Sequence, residues 1–155
     1  MRVSAFNEIA EAFITIVHSE VWCNIATTDT QNRPRSRVLH PIWENHAEGT
    51  VGWVTTGRNT VKATHLAHNP NVSVCYMKDP LKPVYIDCLA EWVDVPEEKQ
   101  RILDLFLTVP PPLGYDPRKF LWFADNAESG LLKLTPWRIE LADLFGETQV
   151  WQASS

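Results

Sequence analysis

The chain has 155 residues, of which 45% are apolar, and a formal net charge of −5 from 14 basic and 19 acidic side chains. This length is typical of a single domain, residues 1–155, that buries its own core. The acidic balance and the lack of a clustered basic face argue against a nucleic-acid partner. Three cysteines, none in a C-x-x-C pair, predict reduced thiols in a cytoplasmic protein. Residues 1–20 are amphipathic and carry Glu8 and Glu11, so we expect no secretory or membrane-spanning segment there.

The first half of the chain predicts one helix followed by three strands. Ser4 is the expected cap of the helix, whose buried face has apolar residues at helical spacing: Phe6, Ile9, Phe13, Ile16 and Val17. Strands are expected over residues 21–28, 34–44 and 50–56. Short polar turns separate them, which predicts an antiparallel meander.

The second half predicts further strands with helices between them. A short helix over residues 60–68 ends at Asn69-Pro70, and strands follow over 71–77 and 82–95. A helix begins at Pro96, a short one is expected near 116–123, and the last strands cover 131–144, interrupted at Pro136, and 148–151. Six or seven antiparallel strands with helices around them predict an α+β fold with a closed or nearly closed barrel.

Three arginines alternate along the second predicted strand and therefore point to one face of it: Arg33, Arg35 and Arg37. Three guanidinium groups cannot be buried without partners. The face is therefore either solvated or in contact with an anion, and both interpretations stay open at this point.

A second polar group lies where the third strand leaves the sheet. Thr55, Thr56 and Arg58 precede a helix and can form an anion cradle or a simple turn with a cap. Lys62 opposes the dipole of that helix, which is unfavourable unless an anion binds there or the side chain bends into water. Together these residues predict a phosphate held by Arg37, Arg58 and Lys62, with a hydrogen bond from Thr56.

Residues 32–95 resemble the pyridoxamine 5′-phosphate oxidase-like superfamily of split-barrel flavoproteins. The matching segments are Arg37-Val38-Leu39, the strand-end threonines after Val54, and the run from Lys62 to Val74, which contains N-P-x-V. Residues 134–140 resemble the family's closing strand. The resemblance implies a split β-barrel with peripheral helices and a homodimer that binds two FMN molecules at the subunit interface.

The same resemblance implies the residues of the FMN site. Arg37 and Lys62 would bind the phosphate, and Arg58 would replace the arginine that the oxidases proper place where this chain has Val61. The ring and ribityl chain would contact the backbone of three residues and two threonines: Val38, Leu39, His40, Thr55 and Thr56. The chain lacks the C-terminal segment with which the true oxidases hold pyridoxal phosphate, so we do not expect vitamin B6 oxidation.

The function implied is an FMN-dependent oxidoreductase that passes electrons between a reductant and a small molecule or oxygen. Residues 107–115 and 120–123 are the expected cover of the substrate, and no single catalytic side chain stands out. A deazaflavin enzyme, or a flavin or haem carrier without turnover, is the alternative. His40 could donate a hydrogen bond beside the flavin or simply lie in the core. His65 and His68 could bind a metal, but we expect a structural or exposed role because no carboxylate or cysteine completes that site.

Overall fold

The computed structural model describes residues 1–155 and contains eight strands in one sheet. The strands are β1 (Cys23–Thr28), β2 (Pro34–Leu39), β3 (Ile42–His46), β4 (Gly49–Gly57), β5 (Asn71–Tyr76), β6 (Val84–Trp92), β7 (Ser129–Leu141) and β8 (Gln149–Gln152). The helices are α1 (Ala10–Glu20), α2 (Val61–His68) and α3 (Pro96–Thr108), with short 3-10 helices at Phe6–Glu8 and Pro117–Phe120. All strand pairs are antiparallel, which confirms the predicted α+β class.

The sheet must curl because its two edge strands are neighbours in the chain. Its order is β2-β1-β5-β6-β7-β4-β3, with β8 paired to the far end of β7. Only His40 and Pro41 separate β2 from β3. Three peptide units reach at most about 11 Å, whereas a flat sheet of seven strands would hold its edges about 29 Å apart. The two-residue connection therefore requires a barrel with its opening between β2 and β3.

The prediction of one strand over residues 34–44 is wrong, and so is the meander built on it. The structure has two strands there, one at each edge of the sheet, and they pair with β1 and β4 instead of with each other. Pro41 explains the break, because proline has no N–H for the ladder and restricts the residue before it. This division also accounts for the strand beyond the predicted number.

Two smaller expectations are corrected at the ends of the chain. Strand β7 continues through Pro136, and the register shifts there so that Trp137 has no partner in β6. This bulge accommodates the proline without ending the strand. The chain also enters α1 through a 3-10 turn, where Ser4 donates to the Glu8 carboxylate at 2.8 Å instead of capping the helix.

The predicted helix α2 and the alternating face of β6 are confirmed, and α3 begins at Pro96 as expected. A cluster of 22 buried residues fills the barrel and is closed at one end by α1. A second cluster of 10 buried residues joins α3 and the segment after it to β3, β4 and β7; Trp53, Phe106 and Trp122 belong to it. No helix of the structure is both long and apolar enough to cross a membrane.

The outer face of β1, β2 and β5 has no such cover. It carries a shallow cleft of about 670 Å³ whose lining includes the small side chains of Ala26, Ser36, Ser73 and Cys75. Three large apolar side chains stand around this cleft and are about 60% exposed: Trp22, Val38 and Met77. The two sides of the barrel therefore differ, one buried beneath α3 and the other open.

Asp29 holds the turn between β1 and β2. Its carboxylate accepts hydrogen bonds from the backbone N–H groups of Gln31 and Arg33 and from the Arg33 guanidinium, each at 2.9 Å. These bonds, the backbone N–H of Arg33 first, lower the pKa of Asp29 to about 2. The unfolded-state pKa is about 3.9, so the group stabilises the fold above that pH and loses its contribution as the pH falls towards 2.

We expect Asp29→Asn to lower the free energy of unfolding at neutral pH. The difference from the unsubstituted protein should shrink as the pH falls from about 4 to about 2, because the Asp29 carboxylate is then protonated as well. Urea unfolding at a series of pH values, followed by tryptophan fluorescence, measures this difference. The exposed Asp104→Asn is the control and should leave the pH profile unchanged. A destabilisation by Asp29→Asn that stays constant with pH would contradict the assignment.

Candidate functional site

The structure separates the three alternating arginines, of which Arg33 precedes β2 and the other two lie in it. Arg33 and Arg35 are exposed and face Asp29, at 2.9 Å and 4.0 Å respectively. Arg37 is half-buried and turns towards the barrel interior, where its Nη2 donates to the Thr27 hydroxyl at 2.8 Å. The solvated interpretation therefore holds for the first two arginines only.

The guanidinium of Arg37 has an unused donor. Its Nη1 is buried and has no hydrogen-bond partner. Burial lowers the pKa of Arg37, and the charge of Arg35 lowers it further. A buried donor of a charged group that lacks a partner is costly, so such an atom in a folded protein needs a ligand, an ion or a water molecule to complete it.

Lys62 lies beside Arg37 and has no partner either. It sits in the first turn of α2, which packs against β1, and it is half-buried. Neither Lys62 nor Arg37 takes part in any of the ion pairs of the structure. Burial and then the charge of Arg37 lower the pKa of Lys62. Two neighbouring cations without a carboxylate, one with an unpaired buried donor, fit the charge and acceptors of a phosphate.

The predicted threonines lie at the end of β4, beside a second cleft. This cleft has a volume of about 240 Å³, and its lining includes Thr55, Thr56 and Gly57. The Thr55 hydroxyl lies 2.6 Å from the phenol oxygen of Tyr115, in the segment that follows α3. Phe120 also lines the cleft and is 77% exposed. Residues of the expected cover segment therefore line the same cleft as the predicted threonines, and their role as a cover of the substrate stays a prediction.

His40 is a buried side chain of the core. Its Nε2 donates to the carbonyl of Leu113 at 2.6 Å, and its ring packs between Trp22, Phe106 and Tyr115. Burial lowers the pKa of His40, and the bond to Leu113 opposes that shift only in part. The neutral imidazole thus ties the connection between β2 and β3 to the cover segment.

The backbone run expected to contact a flavin lies at the edge of the sheet. Val38 is 62% exposed on the open outer face, whereas Leu39 packs against the core inside the barrel. This run ends β2, next to the opening of the barrel. Its predicted contact with a planar ring remains a prediction.

Arg58 is engaged elsewhere in this structure. Its Nε donates to the Asp94 carboxylate at 3.2 Å, and its guanidinium lies 4.6 Å from the ring centroid of Trp92. The Asp94 side chain is 66% exposed, so this ion pair is weak and can exchange. The replacement of a phosphate-binding arginine by Arg58 stays a prediction. It requires Arg58 to leave Asp94 first.

Thr27 and His65 adjoin the predicted phosphate site. The sequence analysis did not name Thr27, and it considered His65 only as a metal ligand or as a structural or exposed residue. The Thr27 hydroxyl, which accepts from Arg37, lies 2.8 Å from Nδ1 of the buried His65. The spacing of His65 three residues after Lys62 could have placed it on the same helix face. No local sequence pattern could have indicated that Thr27 contacts Arg37. His68 binds Asn32 at 2.9 Å, so the two histidines of α2 have separate partners.

Comparisons by sequence give no match to any protein-family model and none to a curated protein. Solved structures do match. A protein of Clostridium acetobutylicum related to general stress protein 26, of the pyridoxinephosphate oxidase family, superposes with a TM-score of 0.70 at 13% identity, covering 94% of each chain. A pyridoxamine 5′-phosphate oxidase-related, FMN-binding protein of Nostoc punctiforme gives 0.63 at 14% identity, covering 95% of this chain and 89% of that one.

Relatives with other cofactors share the architecture. A heme-binding protein of Mycobacterium smegmatis matches with a TM-score of 0.66 at 19% identity, over 99% of this chain and 63% of that protein. An F420 reductase matches with 0.57 at 16% identity, over 81% and 93%. Identities this low establish the fold alone. The chain has the split-barrel fold of the pyridoxamine 5′-phosphate oxidase-related FMN-binding proteins.

Proposed function

We propose that this protein binds FMN and acts as an oxidoreductase on a small molecule or oxygen. The observation that carries this proposal is the adjacent pair of Arg37 and Lys62, two half-buried cations without any acidic partner. A phosphate monoester carries nearly two negative charges and three acceptor oxygens. It would pair with Lys62 and with the buried Nη1 of Arg37, whose remaining Nη2 is already bonded.

The hydroxyl cleft at the end of β4 suits the rest of such a cofactor. Helix α2 begins four residues after β4 and packs on β1, the strand that pairs with β2. Thr55 and Thr56 lie at the end of β4, whereas residues 38 and 39 end the edge strand β2 and His40 follows them. A phosphate at Lys62 with a planar ring extending towards these groups agrees with this placement.

The bound FMN would supply the hydride or electron chemistry. The chain would anchor the phosphate, orient the ring and limit access by water. Tyr115 is the polar side chain best placed to meet a small substrate, since its hydroxyl bonds Thr55 in the cleft. Burial raises the pKa of Tyr115, so the phenol stays protonated and can donate a hydrogen bond. We assign no catalytic residue.

A deazaflavin is the second candidate cofactor, and the likeness to an F420 reductase supports it. Haem is less well supported by the histidines of this chain. His40 donates to a carbonyl, His65 is bonded to Thr27, and the Nε2 of His18 accepts from the backbone N–H of Trp43. In each of these three rings a protein partner engages one nitrogen, so only the other nitrogen could bind iron.

We further propose that the protein is a homodimer and that the open outer face of β1, β2 and β5 meets the second copy. The exposed Trp22, Val38 and Met77 give this face the apolar character of a lasting interface. The face belongs to the same strand, β2, that carries Arg37. Arg37 itself points to the other side of β2, but the outer-face residue Val38 belongs to the backbone run predicted to contact the ring, so a second copy would come close to the cofactor.

A cytoplasmic location also remains part of the proposal. It rests on the three cysteines, all of which are free. Burial raises the pKa of the Cys23 thiol to about 12 and raises that of Cys88 as well. Such thiols are poor nucleophiles and stay reduced in a reducing compartment.

We expect Lys62→Ala to weaken FMN binding about tenfold or more while the fold survives, because a charge-assisted bond to phosphate contributes about 1.5–3 kcal/mol. The measurement is an FMN titration followed by the flavin absorption bands, with circular dichroism as the test of folding. The exposed Lys82→Ala is the matched control and should bind like the unsubstituted protein. If Lys62→Ala binds FMN as tightly as Lys82→Ala does, Lys62 does not contact the phosphate.

The same titration tests Arg58. If Arg58 contributes to the phosphate site, Arg58→Ala loses affinity as Lys62→Ala does; if only Arg37→Ala and Lys62→Ala lose affinity, the pair with Asp94 is the whole role of Arg58. If the protein binds no FMN but develops a Soret band with haem, haem would replace FMN as the proposed cofactor. If it binds no FMN but retains a deazaflavin, the deazaflavin would replace it.

We expect Tyr85→Asp to dissociate the dimer, because it places a charge on the open outer face, where Tyr85 is 38% exposed. Light scattering after size-exclusion chromatography measures the mass in solution. Leu144→Asp changes a side chain that is 65% exposed outside this face and should leave the mass unchanged. A monomeric unsubstituted protein, or a dimer that survives Tyr85→Asp, would contradict the proposed interface.

A further inference from the structure

Two buried side chains, linked by hydrogen bonds, hold the guanidinium of Arg37. Its Nη2 donates to Thr27 Oγ1 at 2.8 Å, and the same oxygen lies 2.8 Å from Nδ1 of His65. Thr27 is 3% exposed and His65 is 4% exposed. The three side chains come from β2, β1 and α2, which are the elements that meet at the proposed phosphate site.

Counting hydrogens fixes the direction of these bonds. Thr27 has one hydroxyl hydrogen, and Arg37 can only donate. The Thr27 oxygen therefore accepts from Arg37, and its own hydrogen has no acceptor other than His65 Nδ1. Because a buried hydroxyl seldom leaves its hydrogen unpaired, Nδ1 of His65 is the acceptor and carries no proton.

The charges around His65 favour the same state. Burial lowers the pKa of His65, and the positive charges of Arg37 and Arg35 lower it further. Asp29 acts in the opposite direction and His68 adds a small lowering. Cations outnumber the one carboxylate facing the ring, and that carboxylate is already bonded to the turn it holds. His65 is thus a neutral imidazole at neutral pH.

We propose that His65, acting through Thr27, is the positioning residue that holds the Arg37 guanidinium in its anion-binding orientation. With Nη2 fixed by Thr27, the unpaired Nη1 is left to the ligand. Helix α2 then contributes twice, once by Lys62, which contacts the anion, and once by His65, which sets the direction of the second cation. This inference rests on the proposed function, since it concerns how the same phosphate is bound.

Three substitutions test the chain of bonds. Thr27→Val keeps the shape of the side chain but removes the hydroxyl, and His65→Leu removes the acceptor. His65→Asn places an amide oxygen where Nδ1 stood, and it cannot be protonated. We expect the first two to weaken FMN binding about tenfold and His65→Asn to stay within about threefold of the unsubstituted protein. His68→Asn, on the exposed side of the same helix, is the control and should change nothing.

A double-mutant cycle separates positioning from loss of structure. In an Arg37→Met background, Thr27→Val and His65→Leu should weaken binding further by less than about twofold, because they act through a guanidinium that is no longer there. Full additivity, or a His65→Asn variant as weak as His65→Leu, would overturn the proposal. Should Thr27→Val fail to fold, the two His65 variants alone decide it.

Inorganic phosphate serves as a second probe and distinguishes the two proposals. If the unsubstituted protein binds phosphate but not FMN, the proposed function fails, and the same variants read with phosphate still decide the role of His65. If it binds neither, both proposals are wrong.

The tautomer of His65 gives an independent test. The ¹⁵N chemical shifts of His65 should report a proton on Nε2 and none on Nδ1, and the opposite tautomer would overturn the hydrogen-bond assignment.

Discussion

The two-residue connection of His40 and Pro41 is the constraint on which the architecture depends. It joins strands that lie at opposite edges of the sheet, and so the sheet has to curl into a barrel. The bonds of His40 hold the connection in place, because its imidazole donates to Leu113 and packs with Phe106 and Tyr115. Closure of the barrel and placement of the cover segment are therefore coupled through one buried side chain.

The positive charges of Arg37 and Lys62 lie together beside the edge strand β2. The chain leaves β4 and continues as α2, which packs on β1 and brings Lys62 towards Arg37 of the edge strand β2. Placing two cations together and partly out of water is unfavourable in the protein alone. The hydrogen-bond chain through Thr27 offsets part of this cost, and a bound phosphate would offset the rest. Arg33 and Arg35, by contrast, pair with the carboxylate of Asp29 and are exposed to solvent.

The sequence was sufficient to predict the features that are local. Strand alternation identified the face of Arg37, and the helix dipole singled out Lys62, whose binding of an anion stays a prediction. Pro41 indicates a break between two strands, and the prediction of one long strand over residues 34–44 overlooked it. The bonds of Thr27 with His65 and of Thr55 with Tyr115 join residues 38 and 60 positions apart. Such contacts follow from tertiary packing, so no local pattern could have predicted them; the pairing of Arg58 with Asp94 is of the same kind.

The measurement that tests the central claim most directly compares FMN with riboflavin, which carries the same ring and ribityl chain without the phosphate. Binding of each to the unsubstituted protein is measured by isothermal titration calorimetry at neutral pH. If Arg37 and Lys62 bind the phosphate, FMN binds about a hundredfold or more tightly than riboflavin, as expected for two charge-assisted contacts. Equal affinities would contradict a phosphate site at the two cations.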